Sequence, residues 1–150
     1  DRVDLGAVLH LVDIGEFCLY ASEKDMHDAI MIEPSLVEEG FRPVTMERPV
    51  ESGFVDILGV DREGILTAVE VKRKAAGRAA VFQLEKYVKE LKKSTGREVR
   101  GILVSPEISK GVQGLLATLN LEFKSVSPKR CAEILGSGRD RRLTGFLQSI

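Results

Sequence analysis

The sequence has little of what marks disulfide-bonded, zinc-binding or membrane proteins. Its two cysteines, Cys18 and Cys131, lie far apart and form no Cys-x-x-Cys pair, so neither a zinc site nor a disulfide framework is indicated. No apolar run approaches the roughly 18 residues that a membrane-spanning helix needs, and residues 1–20 show no signal-peptide pattern. These absences predict a protein of the reducing cytoplasm with no membrane partner.

Internal repeats and low-complexity segments are also missing, and the length of 150 residues suits one domain with one core. The chain does not begin with Met, and we expect it to be a piece of a longer protein. Residues 1–21 are then a linker or the end of a missing N-terminal domain. Residues 22–136 form the folded domain, and residues 137–150 form a flexible tail that follows a Gly-Ser-Gly segment.

The net charge of −1 conceals a strong asymmetry along the chain. Residues 1–71 carry 5 Lys and Arg against 16 Asp and Glu, residues 72–100 carry 10 against 3, and residues 101–150 carry 7 against 4. A basic segment directly after an acidic one suits a site in which carboxylates hold cations while nearby Lys and Arg hold phosphates. The alternative interpretation of the basic segment is a helix face exposed to solvent, which would have the same composition.

Capping and turn residues divide the first half of the folded domain. Ser22 and Asp25 have the spacing of a capping box, which predicts a helix that Pro34 stops. Gly40 is placed to end the short turn that follows, and the chain should then be extended as far as residue 50.

The second half alternates between helical and extended patterns. Apolar spacing predicts a helix after residue 72 that ends before Gly96. Further strands are expected at 99–104 and 121–126, and further helices at 108–119 and 129–135. This order predicts an α/β fold with a mixed central sheet flanked by helices, in which a crossover returns 99–104 to the sheet.

Between these halves, residues 54–72 (FVDILGVDREGILTAVEVK) read as two apolar strands joined by a tight turn. The turn length decides which side chains face each other. A loop of two or four residues would put Asp56 and Glu70 on opposite faces, whereas a three-residue loop with Gly64 in the left-handed position sets them across from each other. We predict the three-residue loop because it brings the two carboxylates together.

Asp56, Glu70 and Lys72 form the pattern Asp-x13-Glu-x-Lys, in which the last two share a strand face. Two adjacent carboxylates repel unless a cation lies between them, and hard oxygen ligands suit Mg2+ or Mn2+. The backbone carbonyl of Val71 can complete the ligand set, and Lys72 can hold the attacking water or the scissile phosphate. Such charges also occur on exposed strands, but the flanking residues here are apolar on both faces, as in central strands.

Gln83 and Tyr87 lie one turn apart on the next predicted helix. Together with Asp56, Glu70 and Lys72 they form a pattern that resembles the PD-(D/E)xK nuclease superfamily, in particular its RecB-like branch. The resemblance implies a restriction-endonuclease-like fold and a catalytic site made of Asp56, Glu70, Lys72, Gln83 and Tyr87. Packing of Tyr87 in the core is the alternative interpretation for that residue.

Four separated blocks resemble, more narrowly, the catalytic domain of the NucS/EndoMS family of DNA endonucleases: SEKDMHDAI, GFVDILGVD, EVKRKAAGRAAVFQLEKYVKEL and RGILVSPEIS. The resemblance implies a Mg2+-dependent endonuclease that acts as a homodimer on mismatched DNA in DNA repair. Branched, flap or single-stranded DNA is the alternative substrate, and a non-catalytic DNA- or clamp-binding module of the same fold is the rival class. The β-rich N-terminal domain of that family, which supplies much of its dimer contact and DNA grip, is expected outside this chain.

Four further charged residues are candidates for the site. Glu23 matches the helical acidic residue that the superfamily often adds to the metal ligands, although a first-turn acid also favours the helix dipole. Arg73, Lys74 and Arg78 directly follow the strand carboxylates and are candidates for contacts with DNA phosphates, or else plain solvated charges. The two histidines show no partner pattern and are assigned no role.

The tail resembles the clamp-binding peptide Gln-x-x-Leu-x-x-Phe-Phe/Leu found in partners of the PCNA-type sliding clamp. Leu143, Phe146 and Leu147 would form a one-turn apolar plug for a groove on the clamp. Asp140 stands where that peptide usually has Gln. A short last helix that packs on the core is the alternative.

Overall fold

The computed structural model describes residues 21–136, which form five strands, four α-helices and a 3-10 turn. In chain order the elements are α1 (Glu23–Ile32), a 3-10 turn (Pro34–Leu36), β1 (Arg42–Val50), β2 (Gly53–Val60), β3 (Leu66–Val71), α2 (Arg78–Thr95), β4 (Val99–Ser105), α3 (Lys110–Thr118), β5 (Glu122–Ser125) and α4, which covers 128–136. None of the helices in this part of the chain is both long and apolar enough to cross a membrane.

The five strands form one mixed sheet in the order β1-β2-β3-β4-β5. The pairs β1–β2 and β2–β3 are antiparallel, whereas β3–β4 and β4–β5 are parallel. Parallel neighbours need a crossover connection, and α2 and α3 supply the two that are required here. The expected α/β fold with a mixed sheet flanked by helices is therefore confirmed.

Each face of the sheet has its own hydrophobic core. The core under α2 and α3 contains, among others, Val55, Leu58, Ala68, Leu84 and Leu103. The core under α1 and α4 contains, among others, Met26, Ile30, Ile57, Val69 and Cys131. Because β2 and β3 contribute to both cores, they are interior strands, as their apolar flanks predicted.

The first helix begins at the predicted capping box. The backbone N–H of Asp25 donates to the Ser22 hydroxyl at 3.0 Å, and the N–H of Ser22 donates to the Asp25 carboxylate at 3.0 Å. Pro34 follows the end of the helix and starts the 3-10 turn. The later elements differ from the expected bounds by one or two residues; α3, for example, starts at Lys110 rather than at 108 because Ser109 caps it.

The turn between β2 and β3 is the three-residue loop that was predicted. The N–H of Asp61 donates to the Ile65 carbonyl at 2.9 Å, and the N–H of Gly64 donates to the Asp61 carbonyl at 2.9 Å. Gly64 has a φ of 83°, which favours glycine. The Asp61 carboxylate closes the loop by accepting the N–H groups of Glu63 and Ile65 at 2.8 and 2.9 Å.

The register follows from this turn. Val60 pairs with Leu66, and the ladder continues without a shift to Ile57 opposite Val69. The ladder ends at that pair, and one more step along the same register would set position 56 across from position 70, as predicted.

Arg100 on β4 ties the turn end of this hairpin to two other segments. Its guanidinium contacts Glu38 at 2.7 and 2.8 Å, Asp61 at 3.0 Å, and Glu122 at 2.6 and 2.9 Å. Bidentate Arg–carboxylate pairs are among the stronger charged interactions in proteins. The network holds the loop between β2 and β3 in place, and with it the register that positions the site at the other end of these strands.

Candidate active site

The two strand carboxylates meet where β2 and β3 separate. The Asp56 carboxylate accepts the N–H of Val71 at 2.8 Å and shares a hydrogen bond with the Glu70 carboxyl. Glu70 is 3% exposed. A buried carboxylate that lies beside a second carboxylate is costly unless a proton or a cation offsets the charge.

An irregularity in the strands turns Asp56 toward this position. In a regular strand alternate residues share a face, yet Val55 and Leu58 pack in one core and Ile57 packs in the other. The alternation therefore breaks at Asp56. The register of β1 places Glu47 opposite, and Glu47 has a φ of 53°, which is rare for a residue other than glycine. Backbone strain of this kind tends to lie at functional sites.

The two carboxyl groups have opposite pKa shifts. Burial, together with the hydrogen bond and the charge of Asp56, raises the pKa of Glu70 to about 9, against a smaller lowering by Lys72. Burial also raises the pKa of Asp56, but the His27 imidazole and the hydrogen bonds from Glu70 and the Val71 N–H outweigh it and hold the pKa below its ordinary value. At neutral pH the pair thus shares one proton, at a position where a cation could replace it.

His27 lies beside this site, although no role was predicted for it. Its Nε2 lies 3.6 Å from Oδ2 of Asp56, is buried, and has no hydrogen-bond partner. Buried polar atoms in native proteins nearly always have a partner. The spacing of four residues from Glu23, which puts both residues on one face of α1, was the one sequence feature that could have indicated His27.

Lys72 and Val71 lie where the second strand ends. The N–H of Lys72 donates to the Val104 carbonyl on β4 at 2.8 Å, so the backbone groups of Val71 point to the opposite side, toward β2. The N–H of Val71 reaches Asp56 there, and its carbonyl lies on the same side. Lys72 shares the strand face of Glu70 and is half-buried at the wall of an open cleft.

This cleft has a volume of about 930 Å³ and is bounded by the start of α1, the end of β3 and the start of α2. Arg73 and Lys74 line it beside Lys72, whereas Arg78 is exposed at its rim, between two lining residues. Glu23 also lines the cleft, and its carboxylate accepts the N–H of Arg73 at 3.2 Å. Its charge contributes to the raised pKa of Glu70, but its hydrogen bond is made to the backbone rather than to the carboxyl pair.

Gln83 and Tyr87 form a pair on α2. The Gln83 amide donates to the Tyr87 hydroxyl at 2.9 Å, and Gln83 lines the cleft while Tyr87 is buried in the core. A Cβ at Gly53 would lie 2.7 Å from that hydroxyl, so the absence of a side chain there makes room for the ring. Tyr87 therefore packs in the core and holds Gln83 at the cleft, and a catalytic role for the two residues stays a prediction.

Within residues 21–136, no group of three or more His, Cys, Asp or Glu side chains is arranged to hold a metal ion. A divalent cation here would rely on Asp56 and Glu70 with backbone and water oxygens, an arrangement that suits Mg2+ because it keeps several of its waters. Two observations are consistent with such an ion. The carboxyl pair shares a proton that a cation could replace, and the buried Nε2 of His27 beside it has no hydrogen-bond partner. The ligand roles of Asp56, Glu70, Val71 and Glu23 remain predictions.

The raised pKa of Glu70 predicts an unusual dependence of stability on pH in the absence of metal. Because the folded state prefers the protonated carboxyl, the stability present below the ordinary pKa of 4.5 is lost as pH rises toward about 9. Glu70→Gln, which mimics the protonated form, should raise the free energy of unfolding at pH 8 in EDTA by on the order of a few kcal/mol. Thermal melts at pH 4.5 and pH 8 measure the difference, which should nearly vanish at the lower pH.

Glu133→Gln is the matched control, because Glu133 is 52% exposed in an ion pair with Arg130. Mg2+ should stabilise the wild-type chain at pH 8 and stabilise the Glu70→Gln variant much less. Equal stability of wild type and Glu70→Gln at both pH values would contradict the shared proton.

The candidate clamp-binding residues Leu143, Phe146 and Leu147 lie outside the described residues, so that prediction stands untested by the structure.

Comparison with known proteins identifies relatives over most of the chain. Residues 22–143 match the family described as Endonuclease NucS C-terminal domain. Endonuclease NucS of Pyrococcus furiosus is 45% identical over 125 residues, which cover 83% of this chain and 47% of the relative. Endonuclease NucS of Methanocaldococcus jannaschii is 43% identical over 129 residues, with coverage of 85% and 47%. The chain thus spans about half the length of the curated relatives it matches.

Solved structures give the same result. A crystal structure of a repair endonuclease from Pyrococcus abyssi superposes with a TM-score of 0.69 at 42% identity and covers 71% of this chain and 47% of that one. A structure of an EndoMS–dsDNA complex superposes with a TM-score of 0.68 at 39% identity, covering 71% and 45%. The expected resemblance is confirmed, and the chain belongs to the Endonuclease NucS C-terminal domain family.

Proposed function

We propose that this chain is the catalytic part of a Mg2+-dependent DNA endonuclease of DNA repair, with Mn2+ as an effective substitute. The observation that carries the proposal is the Asp56–Glu70 pair, buried beside a cleft that Lys72 lines. The family supports it, because relatives covering this domain are named endonucleases and one solved relative is a complex with double-stranded DNA.

In this proposal Asp56 and Glu70 would hold the cation together with the Val71 carbonyl and water, and His27 lies beside Asp56 without being a ligand. The bound ion supplies a water of lowered pKa and offsets charge that builds on the phosphate in the transition state. The chain's own residues do the rest. Lys72 orients the attacking water or binds the scissile phosphate, and Gln83, held by Tyr87, orients a group in the cleft.

Arg73, Lys74 and Arg78 are proposed to bind DNA phosphates on either side of the cleft. Cations beside a hydrolytic centre fix the position of the backbone without reading sequence. Glu23 is proposed as a further acid near the cation, reached through water, because its carboxylate bonds the Arg73 N–H and its charge acts on Glu70.

Mismatched DNA is the proposed substrate, and a homodimer is the proposed active form of the full-length protein. The resemblance of the four sequence blocks to the NucS/EndoMS family supports both proposals, and a sliding clamp bound through Leu143, Phe146 and Leu147 is proposed as a further partner. Cleavage of branched, flap or single-stranded DNA is the second candidate, since the open cleft would also admit an unpaired strand.

Cleavage assays of the full-length protein on matched, mismatched, nicked and flapped duplexes, with Mg2+ or with EDTA, test the proposal. Nicking or double-strand cleavage that needs Mg2+ and is faster on mismatched than on matched duplexes is the expected result. Faster cleavage of flaps than of mismatches would support the second candidate. DNA binding without cleavage of any substrate would identify a non-catalytic module.

A further inference from the structure

The outward face of α2 carries a line of cations with one aromatic ring among them. The members of this line recur about once per helical turn and are all exposed. We call them the α2 ridge: Arg78, Phe82, Lys86, Lys89 and Lys93. The buried residues of α2 lie on the opposite face, where the helix packs against the sheet.

Phe82 is 47% exposed. A single exposed apolar side chain is common on protein surfaces, but this ring lies one turn from Arg78 on one side and one turn from Lys86 on the other. Cations that alternate with an aromatic ring are typical of surfaces that bind a nucleic-acid strand, since cations bind phosphates and rings stack on bases.

The two acids of α2 offset only part of this charge. Glu85 pairs with Lys89, a member of the ridge, at 3.7 Å. Glu90 accepts the N–H and the hydroxyl of Ser52 at 3.2 and 2.9 Å, on the side of the helix that faces the β1–β2 turn. The α2 ridge therefore keeps a net positive charge, because Arg78, Lys86 and Lys93 outnumber the one acid paired with it.

The α2 ridge is continuous with the cleft. Gly77 and Ala79 line the cleft, and Arg78 between them begins the line of cations. From there to Lys93 the helix rises about 22 Å, the length of about six base pairs of duplex. The β1–β2 hairpin carries the exposed acids Glu47 and Glu51 with the exposed Arg48 between them, and its residues are not among those that line the cleft.

We propose that the α2 ridge binds the DNA backbone beyond the scissile phosphate, with its cations on phosphate oxygens and Phe82 against an unstacked base or its sugar. The proposal rests on the proposed function, because it requires DNA in the cleft. It adds a direction, since the DNA leaves the site along α2 rather than across β1.

The cations are tested with Lys86, Lys89 and Lys93 all changed to Ala in the full-length protein, and with Lys110, Lys124 and Lys129 changed to Ala as a control of equal charge on other exposed elements. DNA affinity is measured without cleavage, in Ca2+, as a function of salt. The ridge variant should bind about tenfold more weakly, with a slope of log affinity against log salt smaller by about 2 to 3. The control should change the slope by less than about one. Equal slopes for the two variants overturn the proposal.

Phe82 is tested with Phe82→Ala and, as the variant that keeps the ring, Phe82→Tyr. The Ala change should weaken binding of a flapped or mismatched duplex by roughly fivefold or more and affect a perfect duplex less, while the Tyr change retains affinity. An altered oligomeric state with unchanged DNA affinity would instead make the α2 ridge a protein interface and overturn the proposal. Failure of the proposed function is seen separately, as cleavage that does not depend on Mg2+ or on Asp56.

Discussion

Replacing Asp56 with alanine is expected to reduce Mg2+-dependent cleavage by about a thousandfold or more, because a catalytic metal supplies several kcal/mol of transition-state stabilisation and each 1.4 kcal/mol is tenfold in rate. Asp56 meets Glu70, the Val71 N–H and His27 at one place, so no neighbouring side chain can substitute for it. Single-turnover cleavage with saturating enzyme measures the chemical step. DNA affinity should change little, because the cations of the cleft remain.

Asp56→Asn keeps the side-chain volume and should lose activity equally, which separates loss of charge from loss of packing. Asp28→Ala is the matched control, since Asp28 pairs with Lys24 on α1 at 3.5 Å, away from the carboxyl pair. Removing the Asp56 charge should also lower the pKa of Glu70, as Asp56 contributes to raising it. Wild-type cleavage rates in a folded Asp56→Ala protein would remove the catalytic assignment.

The largest loss of stability is expected from Arg100→Met. The Arg100 side chain is 21% exposed and the Asp61 side chain 7%, so the change leaves three carboxylates together in partly buried surroundings. Breaking such a network by removing one partner costs about 3 kcal/mol or more. Urea unfolding followed by circular dichroism measures it, and Arg100→Lys should restore only part of the loss because an ammonium cannot make the two bidentate contacts.

Arg130→Met is the control, as Arg130 is 52% exposed and its ion pairs with Glu33 and Glu133 span 3.6 and 3.5 Å. Its effect should stay within about 0.5 kcal/mol. An Arg100→Met protein no less stable than this control would show that the network contributes nothing.

The Arg100 effect should also depend on pH. Hydrogen bonding to Arg100 lowers the pKa of Glu38. Burial raises the pKa of Asp61, but the hydrogen bonds from the Ile65 N–H and from Arg100 lower it by more, so the pKa lies below its ordinary value. Groups with lowered pKa contribute stability that is present above their ordinary values, 4.5 and 3.8, and is lost as pH falls through the folded values. The gap between wild type and Arg100→Met should therefore narrow below pH 4.

The parts of the fold and site that could be predicted are those encoded within a few residues. The capping box at Ser22 and the left-handed Gly64 each act over three or four positions. The turn then set the register across β2 and β3, so that Asp56 and Glu70 could be paired without knowledge of the rest of the sheet. The helical spacing of Gln83 and Tyr87 was sufficient to place them together.

The features that escaped prediction depend on contacts between distant segments. His27 enters the site because α1 packs on the sheet beside β3, where Nε2 of His27 comes within 3.6 Å of Asp56, and nothing near His27 in the chain indicates that packing. The break in strand alternation at Asp56 lies opposite Glu47, whose φ of 53° cannot be read from the sequence of either strand. The Arg100 network joins four side chains from four separate segments of the chain, so local patterns of charge could not predict it.

The sequence separations within the Arg100 network have a consequence for folding kinetics. Its hydrogen bonds join residues 62, 39 and 22 positions apart, and closing such loops costs chain entropy before any contact is gained. The guanidinium can bind all three carboxylates only after the segment that follows the 3-10 turn, the hairpin and β5 have reached β4. Arg100 therefore acts mainly after the folding barrier, and its loss should appear as faster unfolding with an almost unchanged folding rate.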